Sequence, residues 1–288
     1  MISVRVHVVL AVGLCCWVAL ADRCPEVIIS SATDFKGQQQ LLTDTRRFVP
    51  RLFEALPDGL RAPARLDVHF VHEGYSRFRG NTVTIRSQSA EGGIGLEDAD
   101  TLTHEIGHAI FAASLPSDLQ EVNQTRARPI DRVLIPEKIP DNPMDTYDEL
   151  FGHALNVAFL HTSRGVHFSE PAMEAVVGNC TPDVVDDMYD AMSLPSDGVI
   201  SPNRWLNQWP YLEEHLFFVP ALSHFWLLVR DKPLPERMRL LEVLMSAMVF
   251  DARTNIQVWR GGTFPIDNRE VSQANRDLIA TFNTLLSQ

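Results

Sequence analysis

Alternating hydrophobic and polar positions predict a small β-sheet in the first third of the chain. Residues 65–72 alternate with Leu66, Val68 and Phe70 on one face, which is typical of a half-buried strand. Residues 82–86 alternate in the same way, and a polar stretch that contains glycine separates the two segments. We therefore expect the two strands to pair as a hairpin.

Helical spacing of apolar positions predicts two helices in the same region. One is expected over residues 34–56, with a kink or break at Pro50. The other is expected over residues 96–115 and starts near Asp98 or Asp100, either of which can cap a helix.

Prolines mark residues 116–145 as a long irregular connection, and the chain after it looks almost wholly helical. Pro220 should kink the fourth of these helices. The candidate helices cover residues 146–161, 171–178, 183–193, 210–230, 234–250 and 268–286. A sheet followed by a series of helices predicts an α+β fold with a mainly helical C-terminal lobe.

Composition limits the class of protein. A chain of 288 residues that is 45% hydrophobic and 22% charged is typical of a globular protein with one large domain or two small ones. The net charge of -12 argues against a nucleic-acid partner, because phosphate binding needs clustered Lys and Arg. The apolar run 216–229 is interrupted by Pro220, Ser223 and His224, so we interpret it as a buried core helix rather than a membrane span.

The N-terminus has the pattern of a secretory signal peptide over residues 1–21. Arg5 precedes an apolar run at residues 8–20 that is too short to span a bilayer, and cleavage is expected after Ala21. The protein is therefore predicted to be secreted or periplasmic, with no stable membrane span after signal removal. Cys24 and Cys180 would remain, and whether they form a disulfide is left open.

The helix predicted over residues 96–115 contains an H-E-x-x-H motif. A spacing of four puts His104 and His108 one turn apart on the same face, where two imidazoles can bind one metal ion. Glu105 is rotated by about 100° from His104, so it can reach a water molecule at that ion. The opposite, apolar stripe consists of Leu102, Ile106, Ala109, Ile110 and Ala113. The pattern predicts a zinc site with Glu105 as general base.

A catalytic zinc site needs a third protein ligand and an open position for water. On the helix predicted over residues 146–161, Glu149, His153 and Asn156 form one polar stripe. A metal site would explain this stripe, since polar groups are costly to bury without partners. Glu149 is the first candidate for the third ligand, and Asp148, about 100° away around the helix, is the alternative.

The H-E-x-x-H motif followed by a glutamate on a later helix resembles the gluzincin branch of the zincin metallopeptidases. The run Glu149–Leu155 is locally similar to the catalytic module of anthrax lethal factor. The resemblance spans about residues 65–161 and implies that Zn²⁺ is bound by His104, His108 and Glu149.

The resemblance also implies a zincin-like fold, in which a small twisted sheet packs on the H-E-x-x-H helix. Residues 22–288 would form a single metallopeptidase domain, with an N-lobe over about 22–115 and a helical C-lobe over about 146–288. In this fold an edge strand pairs with an extended peptide or protein substrate, and here that strand would be Thr82–Arg86.

The implied activity is hydrolysis of peptide bonds by a zinc-activated water with Glu105 as general base, in an endopeptidase rather than an exopeptidase. Tyr147 and His153 are the nearest candidates to stabilise the oxyanion, and His153 could instead orient the ligand imidazoles. The alternative function is a secreted binding or toxin-like module on the same scaffold, with little or no hydrolytic activity.

Overall fold

The computed structural model describes residues 25–31, 38–71, 76–87, 94–124, 144–162, 218–260 and 268–288. These residues form an α+β protein with a small mixed sheet, as the sequence predicts. The chain divides into two compact units, Met1–Ser114 and Leu115–Gln288. The signal peptide, Cys24, Cys180 and the helices expected at residues 171–178 and 183–193 lie outside the described residues.

The first unit contains a four-stranded sheet in the order β1-β2-β4-β3. The strands are β1 (Glu26–Ser31), β2 (Arg65–Val71), β3 (Arg77–Arg79) and β4 (Thr82–Arg86). The segments expected at residues 65–72 and 82–86 are thus confirmed as strands. β1 was not predicted, although its run of Val27, Ile28 and Ile29 is rich in β-branched side chains, which favour strands.

The expected hairpin between residues 65–72 and 82–86 is wrong, because β2 and β4 pair in parallel. The short strand β3 lies between them in sequence and pairs antiparallel with β4, so the chain reverses twice before β4 begins. The hairpin is β3–β4, joined at Gly80 and Asn81. Gly80 has a φ of 62°, which L side chains rarely adopt, so glycine suits the first position of this turn.

The edge strand predicted at Thr82–Arg86 is also wrong. β4 is an interior strand that pairs with β2 on one side and β3 on the other, whereas β1 and β3 form the two edges. The sequence pattern shows which residues of a strand are buried, but it does not show which neighbours the strand pairs with.

The two central strands of the sheet, β2 and β4, bury one face completely. The side chains on this face in β2 and β4 alternate with polar ones, and all of them are 0% exposed: Leu66, Val68, Phe70, Val83 and Ile85. Burying each such side chain stabilises the fold by about 1.5–3 kcal/mol. Two helices pack on the strands: α1 (Gln38–Glu54) contacts β1, and α2 (Leu96–Ser114) contacts β4 and β3. The prediction of a small sheet packed on the H-E-x-x-H helix is confirmed.

Helix α2 begins at Leu96, two residues before Asp98 and four before Asp100, the two predicted caps. Gly95 precedes the helix, and its carbonyl accepts a hydrogen bond from the N–H of Ala99 at 2.9 Å. Asp98 is the third helical residue, and its carboxylate accepts hydrogen bonds from the N–H of Gly95 and the hydroxyl of Ser87. Asp98, in the first turn of the helix, therefore accepts a hydrogen bond from the N–H of Gly95, the residue before the helix, as in a capping box.

All secondary structure elements in the described residues of the second unit are helical. Helix α4 continues directly into a π-helical segment, so one continuous helix extends from Met144 to Leu160. The elements are α3 (Ser117–Gln124), α4 (Met144–Leu155), the π segment (Asn156–Leu160), α5 (Val219–Val229), α6 (Leu234–Arg260) and α7 (Asn268–Leu286). Helix α4 packs against α3, α5 and α6.

Three expectations for this unit need correction. The connection expected at residues 116–145 contains helix α3, and the helix expected to end at residue 250 continues to Arg260. Pro220 lies in the first turn of α5, where its missing N–H costs nothing, so it starts the helix rather than kinking it. Among the helices that the structure describes, none has the length and apolar character needed to cross a bilayer.

Candidate metal centre

The two histidines of the H-E-x-x-H motif meet on one face of α2. Their Nε2 atoms lie 3.1 Å apart, and the rings are nearly perpendicular, with an interplanar angle of 85° and centroids 4.6 Å apart. His108 is 7% exposed and His104 is half-buried. The helical spacing of four residues thus brings the two nitrogens to a common point at the border between core and surface.

This geometry fits a zinc ion. Zn–N bonds of about 2.0–2.1 Å at a tetrahedral angle put two ligand nitrogens about 3.3 Å apart, close to the observed separation. Imidazole nitrogen is also a preferred zinc ligand. The donor set and its spacing therefore suit a metal with little rearrangement of the helix.

Glu105 is the second residue of the H-E-x-x-H motif, and its side chain is only 7% exposed. It directly follows His104 and lies about 100° around the helix from it. On the opposite side of the helix, Leu102, Ile106 and Ile110 are 0% exposed, so the apolar stripe anchors α2 in the core. The predicted amphipathic orientation is confirmed: the apolar stripe is buried, and the motif lies on the other side.

Helix α4 of the second unit holds another pair of potential ligands. Glu149 and His153 are one turn apart, both are half-buried, and a carboxylate oxygen of Glu149 lies within 4.8 Å of an imidazole nitrogen of His153. Asp148, the alternative ligand, is 3% exposed. The predicted polar stripe therefore exists, and it extends to Asn156, which is 2% exposed at the start of the π segment.

Tyr147 has a different environment from the one that an oxyanion-stabilising role requires. Its side chain is 0% exposed, its ring stacks on Phe218 with centroids 4.9 Å apart, and its hydroxyl donates a hydrogen bond to Asp251 of α6. Burial raises the pKa of Tyr147 well above its usual value, and the nearby Asp251 carboxylate adds to this effect. These contacts favour a structural role within the second unit.

A buried arginine donates a hydrogen bond to the end of the continuous helix that carries Glu149 and His153. The sequence analysis did not identify this arginine. The guanidinium of Arg237 donates from Nε to the carbonyl of Ala158 at 2.7 Å and from Nη1 to the carbonyl of Lys232 at 2.7 Å. Ala158 belongs to the π segment, whose last carbonyls have no partner within the helix itself. The only sequence signal was an arginine near the start of a helix, which is common on surfaces.

Comparison with known proteins finds no match for this chain among family models, curated proteins or solved structures. The residues of the site therefore carry the functional interpretation alone.

Proposed function

We propose that the protein is a secreted, zinc-dependent peptidase of the zincin type. One Zn²⁺ ion would be held by His104, His108 and Glu149. The convergence of the two Nε2 atoms on α2, with the buried Glu105 beside them, is the observation that carries this proposal.

The second unit supports the proposal through helix α4. An acid and a histidine one turn apart on a largely buried helix offer one oxygen and one nitrogen ligand to a metal ion, and a cation would stabilise the carboxylate. Glu149 has the more suitable exposure for a ligand, because it is half-buried whereas Asp148 is almost fully buried.

When bound, the ion would supply Lewis-acid activation of a water molecule and of the scissile carbonyl. The carboxylate of Glu105 would accept the proton from the attacking water and return it to the leaving amine. The low exposure of Glu105 keeps bulk water away, which strengthens its electrostatic interactions with the reacting groups. His153, one turn from Glu149, is the remaining candidate to donate a hydrogen bond to the oxyanion.

The central experiment replaces the general base. Glu105→Gln should retain about one zinc ion per chain, measured by elemental analysis, and should lower the rate of peptide hydrolysis about 100-fold or more. Glu97→Gln is the matched control, because Glu97 is an exposed acid on the same helix. If Glu105→Gln cleaves peptides as fast as the parent, the mechanism is wrong.

A second experiment assigns the third ligand. Glu149→Ala should lose most of its zinc, whereas Asp148→Ala should retain it, so the two neighbouring acids serve as controls for each other. The opposite result would move the ligand role to Asp148. Stoichiometric zinc without any hydrolysis, tested against a broad peptide library, would instead favour the binding or toxin-like module.

A further inference from the structure

The outer edge of β3 is a feature of the first unit that the metal centre does not use. No other strand of the described residues pairs with this edge. β3 carries two exposed arginines, Arg77 and Arg79, on either side of the half-buried Phe78. Backbone N–H and C=O groups on such an edge can pair with another extended chain.

Both arginines lie on the polar face of the sheet. The register pairs Arg77 with Thr84 and Arg79 with Thr82, and those threonines alternate with the buried Val83 and Ile85 of β4. The side chains of Arg77 and Arg79 therefore point to the same side, two residues apart.

Among the described residues, this corner of the sheet carries exposed arginines, on a chain whose net charge is -12. Arg86, exposed at the end of β4, shares the polar face with the two arginines of β3. Within the part of the chain that the structure describes, none of the three forms an ion pair with a carboxylate. On strand β2, which pairs with β4, the carboxylate of Asp67 is already paired with Arg65 at 3.0 Å.

The β3 edge is also the one beside the proposed catalytic helix. Helix α2 contacts both β4 and β3, whereas the opposite edge strand, β1, contacts α1. An extended segment that pairs with β3 would thus run next to the helix that carries His104 and Glu105.

We propose that the edge of β3 binds an acidic segment of the substrate, and that Arg77 and Arg79 select Asp or Glu side chains two residues apart. The inference rests on the proposed peptidase function and adds the substrate class. In an added strand, alternate side chains fall on the polar face, directly across from the two arginines. Opposite charges at such cross-strand positions stabilise pairing, and like charges oppose it.

The experiment measures peptide binding to the zinc-loaded Glu105→Gln protein by fluorescence anisotropy. The probes are extended peptides of Ser, Thr and Ala that contain Glu-x-Glu, Gln-x-Gln, Lys-x-Lys or adjacent Glu-Glu. We expect Glu-x-Glu to bind about three- to tenfold more tightly than Gln-x-Gln, with a difference that shrinks as salt is added. Adjacent Glu-Glu should gain less, because its acids fall on opposite faces of a strand.

Charge reversal provides the variant test. Arg77→Glu/Arg79→Glu should reverse the preference so that Lys-x-Lys binds more tightly than Glu-x-Glu, a result that a misfolded protein cannot produce. The control Arg46→Glu/Arg47→Glu makes the same charge change at exposed positions of α1, which packs at the opposite edge. The proposal would be overturned if the control Arg46→Glu/Arg47→Glu weakened binding of the Glu-x-Glu peptide as much as Arg77→Glu/Arg79→Glu does. Equal affinity of the parent for the Glu-x-Glu and adjacent Glu-Glu peptides would overturn it as well.

The same peptides separate this inference from the proposed function. If the parent protein cleaves Gln-x-Gln and Glu-x-Glu peptides at equal kcat/KM, the selection by Arg77 and Arg79 is wrong and the peptidase remains. If Glu-x-Glu binds selectively and the parent cleaves no peptide, the selection holds and the peptidase is wrong.

Discussion

Tyr147 is a fully buried side chain whose hydroxyl donates to the buried carboxyl of Asp251. We predict that Tyr147→Phe lowers the free energy of unfolding by about 1–3 kcal/mol, because the carboxyl loses one of its donors while the ring stacking on Phe218 is retained. Urea unfolding measures this loss. Under the proposed function, kcat/KM for peptides should change little in the folded variant. A large fall in kcat with an unchanged free energy of unfolding would instead assign the hydroxyl to catalysis.

His224 of α5 should make stability depend on pH. Burial lowers the pKa of His224, and its Nε2 lies 2.9 Å from Oδ1 of Asn283, to which the neutral ring can donate. Because the folded pKa lies below the unfolded value, the unfolded state binds the extra proton as the pH falls through about 6.5. The contribution to stability is therefore present above that pH and is lost below it.

The matched variant for this effect is His224→Gln, which keeps a donor toward Asn283 but does not titrate. We expect the parent to lose more stability than the variant when urea unfolding is compared at pH 7.5 and pH 5.5. Carboxyl groups that titrate in the same range change the free energy of unfolding equally in both proteins. The difference between the two losses of stability therefore reports on the imidazole of His224 alone. Equal losses in the two proteins would show that His224 does not contribute.

Local sequence patterns predicted most elements but not how they pair. β4 and α7 begin and end at the predicted residues, because strand alternation and helical spacing depend only on neighbouring positions. β3 has three residues, too few for alternation to be recognised, and its insertion makes the β2–β4 pair parallel. The edge of the sheet, and with it the position of Arg77 and Arg79, could therefore not be predicted without the topology.

The π segment depends on Arg237 of α6 for part of its stability. Arg237→Met removes the donors to the carbonyls of Ala158 and Lys232, so we predict a loss of about 2–3 kcal/mol in the free energy of unfolding. Arg239→Met is the control, since Arg239 is exposed on the same helix. Because the π segment continues α4, the variant should also bind zinc more weakly under the proposed function. Equal urea midpoints for the parent and Arg237→Met would contradict this role.

The site is predictable from sequence only where its residues are close together along the chain. His104 and His108 share one helix, so their spacing alone indicated the common face on which the structure places them. The partner of Tyr147 is 104 residues away in sequence, so no local pattern could have indicated that its hydroxyl is already engaged. Long-range packing therefore decides which partners the polar groups of α4 have, and the local sequence does not show these partners.

Metal binding should stabilise the entire chain if the proposed ligands act on one ion. A ligand that binds only the folded state, at about 100 times its dissociation constant, adds about 2.7 kcal/mol to the free energy of unfolding. For a chain of this size we expect the Tm to fall by about 5–10 °C when a chelator removes the metal, as measured by calorimetry. Zinc should restore the Tm and magnesium should not, since Mg²⁺ prefers oxygen ligands. The variant His104→Ala/His108→Ala should show the lower Tm with or without chelator. A parent protein that loses its zinc with no change in Tm would contradict a metal bound specifically to the folded state.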